Sequence, residues 1–311
     1  MITTLHKAAD AVLRKLHRSR FYYERWNNTL DLRTNRAYER FARECSETYI
    51  RCNGRADFAP SPLATEPAKA FRKALAPEKA RDLSAMITSL IESNHESVFR
   101  NPNIKKKQII INHPLQTLGT DYLGILDGSE LHDGLLAFFR GYFAIGSVMA
   151  FRSLVTDDDN IGSWLWHSDC YPPHTCKLFL HLTPANAELG ATEFMSVADT
   201  MAYRRAGYFG QYGHERRGDL DAFAGEHGLP YRPFHIDVEP GDVSLFNMNY
   251  FHRAVSPRTG FRDVIEIFLF PSPVPWQAHY AKNADYLRDP KHGFSKDPRM
   301  MHGAVATSTM M

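Results

Sequence analysis

A change of texture near Ala144 constrains this chain more than any other feature. Beyond it, apolar or alternating runs are short and are cut by Gly, Pro, Asn and Asp, the rhythm of antiparallel strands joined by turns. Candidate strands cover 148–155, 163–167, 177–182, 191–196, 234–238, 242–246, 251–255 and 262–270. Strands of this length and number predict a double-sheet jelly roll, the double-stranded β-helix, because two sheets packed face to face hide most exposed edges. No repeat of fixed period is present, which argues against a solenoid or propeller.

Upstream the signals are helical. Leu5, Val12, Leu13 and Leu16 among Lys7, Arg14, Lys15, Arg18 and Arg20 read as an amphipathic helix. Thr65, Glu66 and Pro67 are read as opening a second helix, and Pro77 and Glu78 a third through Leu83, Ile87 and Leu90. Ile109, Ile110 and Ile111 form a β-branched run, read as a strand, and 131–142 reads as one more helix. The expected organisation is mainly β with helices. A helical region over 1–143 buttresses a jelly-roll catalytic core over 144–275, and a C-terminal extension covers 276–311. Within the core, 198–233 interrupts the strand rhythm and is expected to be a mobile lid, since long loops in compact domains are usually functional.

Charge and cysteine usage narrow the function. A net charge of +2 over 311 residues shows no basic excess of the kind a duplex needs, so no nucleic-acid partner is expected. Lys105, Lys106 and Lys107 read as a solvated face or strand edge. Cys45, Cys52, Cys170 and Cys176 form no C-x-x-C pair, which argues against structural zinc and fits a reducing compartment. No run approaches the length of a membrane span and no apolar signal core opens the chain, so a cytoplasmic location is expected; the oligomeric state is not readable.

His167-Ser168-Asp169 sets an imidazole and a carboxylate two positions apart, on one side of an extended segment. A second imidazole from a distant strand completes a two-His, one-carboxylate set that leaves open positions on iron(II), and His252 is the candidate. Fifteen histidines make one such triplet weak evidence, and His235-Ile236-Asp237 is a second match. That match runs into the turn Glu239-Pro240-Gly241-Asp242, and His235 is read as a sheet histidine.

The segment WHSDCYPPHTCKLFLHLT from Trp166, the glycine-led run Gly190-Ala191-Thr192-Glu193-Phe194, and Tyr250-Phe251-His252-Arg253 followed by Gly260-Phe261-Arg262 together resemble the iron(II)/2-oxoglutarate-dependent dioxygenases, in their phytanoyl-CoA dioxygenase-like branch. The resemblance covers roughly 148–271. It implies iron ligation by His167, Asp169 and His252, with Arg262 pairing the far carboxylate of 2-oxoglutarate and Arg258 as its competitor. Arginine suits that task because its planar fork meets a carboxylate with two parallel hydrogen bonds. Lys177 and Arg152, on strands expected to flank the site, are candidates to orient co-substrate or an acidic substrate, against a plainer reading as side chains running out to solvent. Thr192 is a candidate hydrogen-bond donor to the co-substrate, or a plain β-former; Trp166 walls the pocket or packs the core.

The resemblance further implies Fe(2+), 2-oxoglutarate and O2, with ascorbate as an accessory reductant, and hydroxylation of an unactivated C–H bond with release of succinate and CO2. Asp169 speaks against halogenation, since halogenating relatives replace that carboxylate. Arginines and tyrosines in the insert, Tyr203, Arg204, Arg205, Tyr208, Tyr212, Arg216 and Arg217, suggest a small-molecule substrate that is polar or anionic, or a sugar derivative. Two alternatives stay open: a cupin-type metal-dependent isomerase or hydrolase, and a non-catalytic jelly-roll binding protein.

Overall fold

The computed structural model describes residues 2–54, 57–104 and 106–288; Lys105 and the stretch 289–311 of the expected C-terminal extension lie outside them. In chain order the elements are α1 (Ile2–His17), α2 (Arg20–Trp26), α3 (Leu32–Asn53), β1 (Ala68–Phe71), α4 (Pro77–Glu92), β2 (Val98–Phe99) and β3 (Gln108–Ile111). There follow α5 (Pro114–Thr117), α6 (Ser129–Phe139), β4 (Phe143–Leu154), β5 (Cys176–His181), β6 (Glu193–Phe194), α7 (Val197–Arg205) and α8 (Leu220–His227). The last are β7 (Phe234–His235), β8 (Val243–Phe246), β9 (His252–Arg253), β10 (Phe261–Pro271) and α9 (Trp276–Arg288). None of the helices among the described residues is long and apolar enough to cross a membrane.

The core is a jelly roll. A seven-stranded antiparallel sheet runs β1-β8-β5-β10-β4-β3-β2, and a three-stranded sheet runs β7-β6-β9. From β7 onward the strands alternate between the two sheets, and Phe194 of the small sheet meets Phe246 of the large one at 5.4 Å between ring centres. β4 and β10 are the spine, paired along their whole length with one irregularity at Phe268 and Leu269. β10 is buried almost throughout because both of its faces are covered, the inner by the small sheet and the outer by helices such as α4. In α4, Pro77 and Glu78 start the helix as expected, and Ala80, Ser84 and Ile87 are its buried stripe.

Four expectations are corrected. Thr65, Glu66 and Pro67 open no helix; they lead into β1, which pairs with β8 and buries Ala68 and Phe71, so tertiary pairing overrides the local proline signal. The small-sheet strands are far shorter than predicted, and 163–167 contributes only a 3-10 turn (Gly162–Trp164) and bridges at Trp166 and His167. Lys107 is not solvated: it is buried, donates to the Asp158 carbonyl at 2.7 Å and lies over the Trp164 ring, while Lys106 is exposed beside Asp158. The insert 198–233 is not a bare loop. It carries α7 and α8, and Tyr203, Tyr208, Leu220 and Phe223 pack with Trp166 and Phe251 into a second buried cluster. Helix α2 clasps it from outside, with Tyr23 against Phe209 and Glu24 paired to Arg205.

Candidate metal centre

His167 and His252 face each other across an antiparallel bridge, each backbone N–H donating to the other's carbonyl, at 3.1 and 3.0 Å. The bridge fixes both backbones, and each ring is then fixed by its own Nδ1. His167 Nδ1 sits 2.8 Å from the Leu165 carbonyl and His252 Nδ1 2.9 Å from the Tyr250 carbonyl. A carbonyl only accepts, so both Nδ1 atoms carry the proton and both Nε2 lone pairs point inward, the tautomer a metal ligand needs. Behind His167 the chain passes Gly210 at φ 59°, where a Cβ would come within 3.1 Å of the His167 Cα. Glycine suits that position best, by its left-handed φ and the tight approach to the His167 backbone.

Asp169 follows on the loop, its N–H bonded to the Met248 carbonyl at 2.9 Å. Its Oδ1 lies 3.4 Å from His167 Nε2 and its Oδ2 3.7 Å from His252 Nε2. Three ligands at right angles and about 2.1 Å from one ion would be about 3 Å apart, so small rotations of these side chains would close on a metal. Among the described residues, this is the group of His, Cys, Asp and Glu whose donor atoms converge. Burial works to raise the Asp169 pKa, but Lys177 and the two rings hold it well below the usual carboxylate range. Burial and the neighbouring His167 push His252 down to about 3, so its ring stays neutral. An ionised carboxylate and neutral imidazoles suit a divalent first-row transition metal.

The predicted anion-binding residues divide. Arg262 is 1% exposed and lines the same cavity as the two histidines. It donates through Nη1 to the Gly190 carbonyl and, at 3.4 Å, to Thr192 Oγ1. Its Nε is buried without a partner, and no acidic side chain among the described residues pairs with it. Burial pushes its pKa down to about 10, still far above neutrality. Arg258 is elsewhere: its side chain is 74% exposed and pairs with Glu188 at 2.8 Å, because it stands on the turn before β10. Arg152 is buried, yet it points to the opposite face of the large sheet, where Asp263 takes it at 2.7 and 2.8 Å. The plainer reading of Arg152 and Lys177 as solvent-seeking side chains is thus corrected for both.

Lys177 reaches Asp169 Oδ2 at 3.0 Å and Glu266 Oε1 at 3.5 Å. Those two carboxylates lift its pKa above the ordinary lysine range against the effect of burial. Glu266 was not anticipated from the sequence. Its signal is period-two alternation along β10, since Arg262, Val264, Glu266 and Phe268 share one face. His181, also unanticipated, is buried with Nε2 3.0 Å from Ser244 Oγ. Trp166 is core, fully buried in the insert cluster. His235 sits on β7 beside exposed Asp237, apart from the metal ligands as expected.

A cavity of about 550 Å³ joins these groups. His167, His252, Lys177, Glu266 and Arg262 are its ionisable wall, Gln108, Ser147, Ser153, Ser163, Tyr171 and Thr192 add uncharged polar groups, and Met149, Trp164, Phe179, Phe246, Phe268 and Leu287 are apolar.

No family model matches the chain, and no curated protein matches it. Solved structures do. The epimerase SnoN, in complex with Fe3+, alpha ketoglutarate and nogalamycin RO, is 13% identical with a TM-score of 0.49, covering 75% of this chain and 83% of that one. EctD from S. alaskensis in its apoform is 13% identical with a TM-score of 0.45, covering 70% of this chain and 83% of that one. HygX from Streptomyces hygroscopicus, with nickel and 2-oxoglutarate bound, is 15% identical with a TM-score of 0.41, covering 67% of this chain and 84% of that one. None of these three scores reaches one half, and the function proposed next rests on the side chains themselves.

Proposed function

We propose that this protein is an iron(II)- and 2-oxoglutarate-dependent oxygenase of the phytanoyl-CoA dioxygenase-like kind. The observation that carries the reading is a conjunction: two imidazoles and a carboxylate with converging donor atoms, and in the same cavity a buried arginine without an acid partner among the described residues. A metal site alone fits many chemistries. A co-substrate that reaches both the metal and a buried cation accounts for the second element.

His167, Asp169 and His252 would hold iron on one side only, leaving the cavity side free. Arg262, steadied by the Gly190 carbonyl and Thr192, would take the far carboxylate of 2-oxoglutarate, and its buried Nε supplies a donor that now has no acceptor. Bound there, iron and 2-oxoglutarate supply the oxidising power, with O2, to hydroxylate a C–H bond and leave succinate and CO2. Lys177 holds the Asp169 carboxylate in orientation, and Phe179, Phe246 and Phe268 exclude water from the centre.

The test is an anaerobic titration with iron(II) and then 2-oxoglutarate, followed by succinate release and oxygen uptake with ascorbate present. A weak visible charge-transfer band and succinate formation are expected. A silent spectrum would leave a binding protein, and turnover of a metabolite without oxygen uptake would leave a cupin-type isomerase or hydrolase.

A further inference from the structure

Arg216, from the insert, stands beside the candidate metal centre and forms no ion pair among the described residues. Trp166 bridges Arg217 across the edge of the small sheet, with the Trp166 N–H donating to the Arg217 carbonyl at 2.8 Å. Antiparallel register then puts Arg216 beside His167. Side chains alternate, and the Arg217 guanidinium lies over the Phe223 ring, in the outer cluster that also holds Trp166. Arg216 therefore projects to the opposite face, the one His167 presents to the metal. Asp169 is close enough to act on its charge. No ion pair or side-chain hydrogen bond joins Arg216 to any described residue, and its Nε is buried without a partner. The other basic residues of the insert are engaged: Arg204 bonds Asn27 and the Asn249 carbonyl, and Arg205 pairs with Glu24.

Charge at the centre gives this residue its meaning. Asp169, Glu266, Lys177 and Arg262 would balance a divalent metal and a dianionic co-substrate to zero. Arg216 is then one positive charge in excess at the His167 edge of the centre. Away from the ionisable groups the cavity wall is mostly apolar, with Met149, Trp164, Phe179, Phe246, Phe268 and Leu287 beside a few uncharged polar residues such as Gln108 and Tyr171. We infer that Arg216 anchors the substrate, and that the substrate carries one carboxylate joined to an apolar body. The inference rests on the oxygenase reading above and deepens it. The carboxylate meets the guanidinium fork next to His167, and the body lies along the apolar wall, which sets a C–H bond over the open side of the metal.

The experiment is calorimetric titration, under argon, of protein loaded with manganese(II) and 2-oxoglutarate, using 4-phenylbutyrate and its uncharged amide. The carboxylate is expected to bind at least about tenfold more tightly than the amide. Arg216→Gln should erase that preference and Arg216→Lys restore part of it, since lysine keeps the charge without the fork. Equal affinities, no binding of the carboxylate, or a preference that survives Arg216→Gln overturns the inference. So does a loss in Arg216→Gln that falls on 2-oxoglutarate affinity. Failure of the iron-chelate band in unmutated protein instead strikes the oxygenase reading, so the two failures are distinguishable.

Discussion

Arg262 and Asp263 are neighbours on one strand and live on opposite faces of the large sheet. On the outer face Asp263 is fully answered: Arg152 meets it with two hydrogen bonds, Ser84 donates at 2.6 Å, and Arg152 also bonds Thr88 and stacks over Phe261. On the inner face Arg262 is equally buried but pairs with no acid among the described residues. Burying a charge is costly unless it is paired. The outer pair is complete within the chain and reads as structure. The inner cation is complete only with something the chain lacks, and it reads as function.

The largest effects should divide along that line. His167→Ala or His252→Ala on the inner face should bring 2-oxoglutarate turnover to background while circular dichroism and unfolding stay near those of the parent. Full activity in either variant would end the metal assignment. Asp263→Ala on the outer face should do the reverse, costing about 3–5 kcal/mol of stability by stranding Arg152. Denaturant unfolding measures it, and a loss below about 1 kcal/mol would mean the outer face tolerates an unpaired charge as the inner one does.

The two candidate arginines sharpen the contrast. Arg262→Ala should raise the KM for 2-oxoglutarate roughly ten- to hundredfold, the worth of about 1.5–3 kcal/mol for charged hydrogen bonds. Arg258→Ala, on an exposed pair with Glu188, should change nothing measurable. A larger effect at Arg258 would reverse the assignment.

Much of this centre was legible in the residues. The His-x-Asp pair stands out by its two-residue spacing, His252 and Arg262 only through the family resemblance of the runs that hold them, and β4 and β10 by long apolar runs. What escaped depends on partners remote in the chain. Arg152 and Lys177 look solvent-seeking until Asp263 and Glu266, each about ninety or more residues away, enclose them. The insert looks like a loop because glycines at 207, 210, 213 and 218 punctuate it, and its order comes from packing on Trp166 and Phe251. β1 was misread because a four-residue edge strand is made by its neighbour, not by its own propensity.

The smallest test uses pH. His181 lies on the inner face, and burial together with the Arg262 charge pushes its pKa from 6.5 down to about 3. Its folded pKa lies below its unfolded one, so between about 6.5 and 3 the unfolded chain takes up a proton that the folded chain refuses. Stability attributable to the neutral ring is therefore whole above pH 6.5 and drains away as pH falls. In metal-free protein, His181→Asn should flatten this acid-side decline by up to about 1.4 kcal/mol per pH unit, read from urea midpoints between pH 7.5 and pH 5. An unchanged slope would mean that His181 accepts a proton in the folded state. The inner face would then tolerate a second cation beside Arg262, and its uncompensated charge would no longer distinguish it from the outer face.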